Sequence, residues 1–103
     1  MLMKKKLFLL LFTLWVPITF FGQNNVVISG TVIDELREPV IGASVVEKGT
    51  SNGTVTDIDG NYSLSTASNA VLVFSYIGYA SQEVSVAGKT KIDVVLKEDV
   101  AQL

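Results

Sequence analysis

GTVIDELREPVIGASVVEKGTSNGTVTDIDGNYSLS (residues 30–65), continued after a short spacer by VLVFSYIGY (residues 71–79), is the stretch that decides the fold of this chain. Short apolar and β-branched runs are cut there by turn residues every eight or so positions, the spacing of a small all-β sandwich. Val26 to Ile33 alternates as a half-buried strand, with Val26, Ile28, Gly30 and Val32 on one face. DELREP (residues 34–39) is a polar turn, and Pro39 biases Glu38 towards an extended shape ahead of a strand over residues 43–48. Gly49 and Gly53 bracket a loop, and a short strand follows at residues 54–56. DIDGN (residues 57–61) is the clearest turn, because Asp and Asn side chains cap turns and Gly60 tolerates a positive φ. Tyr62 to Leu64 resumes the alternation. Residues 70–76 form the most apolar strand, aiming Leu72 and Phe74 at the core, and Gly78 ends it. A last hairpin is expected to join residues 82–86 to 91–97 through AGKT, with Val84, Val86, Ile92, Val94 and Leu96 inward. That makes seven strands and no segment of helical periodicity.

The N-terminal segment is of another kind. Lys4, Lys5 and Lys6 precede the apolar run LFLLLFTLWVPITFF, which Gly22 closes, so residues 1–22 read as a signal peptide cut before Gln23. The run is shorter than the roughly 20 apolar residues that span a bilayer, and Pro17 interrupts it. The mean hydropathy of +0.45 owes much to this leader. Of the 8 basic residues three lie in it, and of the 10 acidic residues none, so five basic residues face ten acidic ones afterwards, a charge of about −5. Nucleic acid and anionic lipid are poor partners for such a surface. With no cysteine, the domain at residues 23–99 folds without disulfides on a thin core.

The order G30-T-V-x-D34, P39-x-x-G42-A43-x-V45, K48-G49-T50, G53-T-x-T56-D57-x-D59-G60-x-Y62-x-L64, then F74-S-Y-I-G-Y79 resembles the carboxypeptidase-regulatory-like domain found at the N-terminus of SusC/RagA-type TonB-linked outer-membrane transporters. The resemblance implies a seven-stranded Greek-key sandwich of the transthyretin type. It also implies an exported domain at the periplasmic face of the outer membrane of a Gram-negative cell, with the TonB system or the transporter's own plug and barrel as partners. In that family a TonB-contact segment, a plug and a barrel follow, so residues 100–103 read as the start of a linker towards them.

The residues themselves offer little chemistry. The chain has no His and no Cys, hence no usual zinc set, no Ser-His relay and no thiolate nucleophile. Asp57 and Asp59 sit like the start of a calcium loop, but Val55 and Thr66 stand where an EF-hand needs its first and last oxygen ligands. No cofactor, metal or small-molecule substrate is therefore expected. The glycines at positions 30, 42, 49, 53, 60 and 78 read as bends and close strand approaches. Tyr76, Ile77 and Tyr79 are the candidate partner contact, aromatics being frequent anchors of interfaces. Two functions are expected: a non-catalytic accessory module of a transporter, monomeric in isolation, or a free-standing exported sandwich that binds a protein or glycan.

Overall fold

The computed structural model describes residues 24–99, so the leader expected at residues 1–22 and the linker expected at 100–103 lie outside the described residues. Seven strands form: β1 (Asn25–Ile33), β2 (Ser44–Glu47), β3 (Gly53–Val55), β4 (Asn61–Ala67), β5 (Val71–Ser75), β6 (Gln82–Ser85) and β7 (Val94–Val95). They make two sheets, β4-β1-β7 and β3-β2-β5-β6. The chain passes repeatedly from one sheet to the other, as a Greek-key sandwich does. The all-β expectation and the strand count hold, with boundaries shifted by up to three residues.

Alternation supplies the core. Ile28 and Val32 from β1, Val45 from β2, Leu72 and Phe74 from β5, and Val86 and Leu96 from the later segments are fully buried between the sheets. Tyr62 of β4 meets Phe74 edge to face across the layer, ring centroids 5.5 Å apart, a contact worth about 1 kcal/mol beyond the area it buries. Among the described residues every buried side-chain polar atom has a partner.

The last hairpin does not form. β6 pairs antiparallel with β5, whereas β7 crosses to the other sheet and pairs parallel with β1. Lys89 N–H closes a tight turn on Val86, with Ala87 and Gly88 both at positive φ. The chain then docks on β1 through Ser29 N–H to Thr90 O (3.0 Å) and Ile92 N–H to Ser29 O (2.9 Å). Alternation fixes which side chains face inward, and Ile92, Val94 and Leu96 do so. It does not fix which strand edge receives the backbone.

Gly30 makes that docking possible. A Cβ there would lie 1.9 Å from the carbonyl oxygen of Ile92, so only glycine lets residues 90–93 come this close. Tyr62, directly opposite Gly30 on β4, covers the gap and donates its hydroxyl to the same Ile92 oxygen at 2.6 Å. One residue on, the side chain of Asp93 accepts the Thr31 amide at 2.9 Å in place of a backbone carbonyl.

Burial, and secondarily the charge of Asp93, push the Tyr62 hydroxyl up from 10.0 to about 12. The folded state therefore holds this proton more tightly than the unfolded chain does. The stabilisation is complete below about pH 10 and is lost as pH rises towards about 12. Urea denaturation across this window should show a larger stability loss in the parent domain than in Tyr62→Phe, which keeps only the contribution of the raised Tyr79 hydroxyl. Parallel curves for the two proteins would refute the assignment.

Two turns bind the far end of β1, and they are built alike. The Asp57 carboxylate accepts the amides of Asp59 and Asn61, both at 2.9 Å, and that of Asp34 accepts Leu36 at 2.8 Å and Glu38 at 2.9 Å. In each, the fourth residue turns left-handed: Gly60 at φ 77° and Arg37 at φ 68°. Between them, Val32 bonds Gly60 O on one side and receives the Val40 amide on the other. Thr56, buried, accepts the Ala43 amide and donates to Val40 O, which fastens the 40–43 segment beneath.

Candidate functional site

The two ends of the sandwich differ in chemistry. Strands β1, β5 and β7 finish at one end, and β2 and β4 begin there. Its loops carry Leu36, Ile41, Ile58, Tyr76 and Ile77, five of the eight exposed large hydrophobic residues among the described residues. Ile77 is 87% exposed, Leu36 79% and Ile58 74%, so these side chains contribute almost nothing to the domain's own core. The same loops hold Asp34, Glu35, Glu38, Asp57, Asp59, Glu98 and Asp99 against Arg37 and Lys97. At the opposite end the loops KGTSN (residues 48–52), SN (68–69) and AGKTK (87–91) are polar, and their charges are Lys48, Lys89 and Lys91. The domain is thus acidic and apolar at one end, basic and polar at the other.

Tyr76, Ile77 and Tyr79 lie just past β5, where Tyr79 N–H returns to Tyr76 O at 3.0 Å and Gly78 takes a positive φ. The two tyrosine rings are tilted at 46° with centroids 5.9 Å apart. Gly42 and Ser44 line one depression with this turn. Tyr79 also lines a second with Asp34, Glu35, Leu36 and Glu98, which makes the surface continuous from Leu36 to Ile77. Partial burial first, then the charges of Asp34 and Glu98, with smaller contributions from Tyr76 and Glu35, raise the Tyr79 hydroxyl above its usual range. The turn is anchored from below by the C-terminal segment: Ala80 N–H bonds Lys97 O, Tyr79 bridges Glu98, and Asp99 N–H bonds Gly78 O at 3.0 Å. Sequence reasoning singled out the three residues of this turn. It missed Leu36 and Glu98, although an apolar residue inside the polar run DELREP was a visible signal.

The remaining motif residues are spread through the framework. Gly30 and Tyr62 meet at the β1–β4 pair, and Pro39 bridges Ile33. Asp34, Asp57, Asp59 and Gly60 form the two turns, and Ala43 with Thr56 ties the segment before β2. Gly49 and Thr50 turn the chain at the basic end, where the Thr50 hydroxyl bonds Glu47 O. Gly53 opens β3, packed against Val45 and Val46. At that end the Glu47 carboxylate accepts Asn52 Nδ2 at 3.0 Å and Thr66 Oγ1 at 2.8 Å, which hold it below its usual range. Asn52 Nδ2 also donates to Ser65 O, so this polar cleft is spent on joining β2 to β4. Among the described residues no group of three or more acidic side chains could hold a metal ion.

The CarboxypepD_reg-like domain family matches residues 28–103. The TonB-dependent receptor SusC of Bacteroides thetaiotaomicron is 44% identical over 97 residues, covering 94% of this chain and 9% of the receptor. The TonB-dependent receptors P39 and P26 of Formosa agariphila are 41% and 49% identical, over 91% and 71% of this chain. The chain spans a tenth or less of the length of these relatives. Among solved structures, a type II cohesin–X-dockerin complex from Acetivibrio cellulolyticus superposes with a TM-score of 0.53 at 17% identity, over 68% of this chain and 52% of that one, a likeness of fold alone. With most of its length matched by the family and by close relatives, this chain belongs to the CarboxypepD_reg-like domain family.

Proposed function

We propose that the chain serves as a non-catalytic accessory domain of a TonB-dependent outer-membrane transporter, at the periplasmic face, and works through protein contact. The observation that carries this reading is the SusC match, which takes in 94% of this chain and only 9% of the receptor. The transport itself belongs to the remainder of such a receptor. What this domain contributes is a rigid sandwich with an unspent apolar end, suited to partner choice or to coupling of the transporter to its energy source. The turns that resembled a calcium loop are occupied by their own backbone amides, in keeping with a framework role for Asp57 and Asp59.

The test is deletion of residues 27–97 from a full-length parent transporter. Barrel assembly and substrate binding at the cell surface should persist, while accumulation inside the cell falls. Loss of surface binding by a correctly assembled barrel, or unchanged uptake, would each refute the coupling role.

A further inference from the structure

We propose that the surface running from Leu36 through Tyr79 to Ile77 docks a short basic peptide segment bearing an apolar side chain, supplied by an envelope protein. This deepens the protein-contact reading above by naming the chemistry of the partner at the same end of the domain. Three features of the surface select that occupant. Among the described residues Ile77 and Leu36 are the two most exposed large hydrophobic ones, and Tyr76 and Tyr79 stand beside them with their rings only partly covered. An apolar side chain laid between them would remove area from water on both partners, at about 25 cal/mol per Å².

The rim supplies the sign of the charge. Asp34, Glu35 and Glu98 line the depression under Tyr79, and among the described residues no basic side chain lines it with them. The Tyr79 hydroxyl is raised first by burial and then by the charges of these three acids, in keeping with a negative rim. Complementary charge steers a basic partner to this end and repels an acidic one. At the far end Lys48 is paired with Glu83 at 2.9 Å, and Lys89 and Lys91 add to that orientation by turning a basic partner away from the wrong face. The turn is also held in shape before anything binds. Its amides and carbonyls are tied to Lys97 and Asp99, so docking orders little new backbone.

The experiment uses the domain itself, whose core closes with no unsatisfied buried side chain, labelled with nitrogen-15 and titrated with three peptides. The first, Lys-Leu-Lys-Phe-Lys, has the proposed chemistry; Lys-Ser-Lys-Ser-Lys carries the charge alone; Glu-Leu-Glu-Phe-Glu carries the apolar groups with the opposite charge. Amides of residues 34–36, 76–79 and 97–99 should shift with the first peptide and far less with the other two. The affinity should fall with added salt, and about ten-fold or more in a Leu36→Ser, Ile77→Ser double variant. Because both positions are exposed, that variant should keep the melting temperature of the parent, which separates lost docking from lost folding. Shifts elsewhere, equal response to the serine or glutamate peptide, or no response would overturn the proposal. So would broadening of the same amides that grows with protein concentration without peptide, since a second copy would then be the occupant. None of these outcomes depends on transport, so the uptake experiment stands or fails separately.

Discussion

A Gly30→Ala variant is expected to lose roughly 3 kcal/mol or more of stability, the largest effect of any single methyl group added to this domain. The new Cβ would sit 1.9 Å from Ile92 O and 2.7 Å from the Ile92 carbonyl carbon, both backbone atoms that cannot swing aside. To relieve the clash, residues 90–93 must leave β1. The Ser29–Thr90 and Ser29–Ile92 hydrogen bonds go with them, and the buried Tyr62 hydroxyl loses its acceptor. A small domain has only about 0.1 kcal/mol per residue in total, so the variant should be largely unfolded near physiological temperature. Urea denaturation and near-ultraviolet circular dichroism read this directly. A melting temperature equal to the parent's would show that β7 docks in some other way.

The second large effect is at the Asp57 turn. Gly60 has φ 77°, and a Cβ there would approach Val32 O to 2.6 Å and Pro39 Cβ to 3.1 Å. Gly60→Val should therefore cost about 2–3 kcal/mol, strain and contact together. Its counterpart in the Asp34 turn gives the opposite sign. Arg37 occupies the same left-handed position at φ 68° with an exposed side chain, so Arg37→Gly should be neutral or stabilising by up to about 1 kcal/mol. Asp59→Ala removes no turn acceptor and should cost less than Gly60→Val. Chemical denaturation of the three variants, with and without calcium, tests the set. A calcium-dependent rise in stability that Asp57→Ala abolishes would overturn the reading of this turn as self-satisfied.

The parts of the fold legible in the sequence were those written locally. DIDGN announces its turn through side chains that bond their own backbone, and alternation in residues 70–76 marks Leu72 and Phe74 as core before any partner strand is known. Strand pairing is not local. The AGKT turn has the two left-handed residues of a tight hairpin, and the chain after it joins β1, because the Gly30 gap and the unpaired β1 edge are properties of a strand some sixty positions earlier. The candidate site was half legible for the same reason. Tyr76, Ile77 and Tyr79 are contiguous and conspicuous, whereas Leu36 and Glu98 reach them only through the way β1 and the C-terminal segment end side by side.

The parallel pairing of β1 with the segment containing β7 also fixes how the domain meets a mechanical load. β1 begins at Asn25 at the basic end, and the segment after β7 reaches the apolar end by Asp99. A pull between these two points runs along both strands. It loads the bonds of Ser29 with Thr90 and Ile92, of Thr31 with Asp93, and of Ile33 with Leu96 together in shear, instead of opening them one after another. Strands peeled from an edge yield a bond at a time; strands slid past each other yield only when the whole set breaks, so forced unfolding must cross a high barrier at once. Tension entering at Asp99 is met first by its bond to Gly78, and so reaches the Tyr76–Tyr79 turn before it reaches the core.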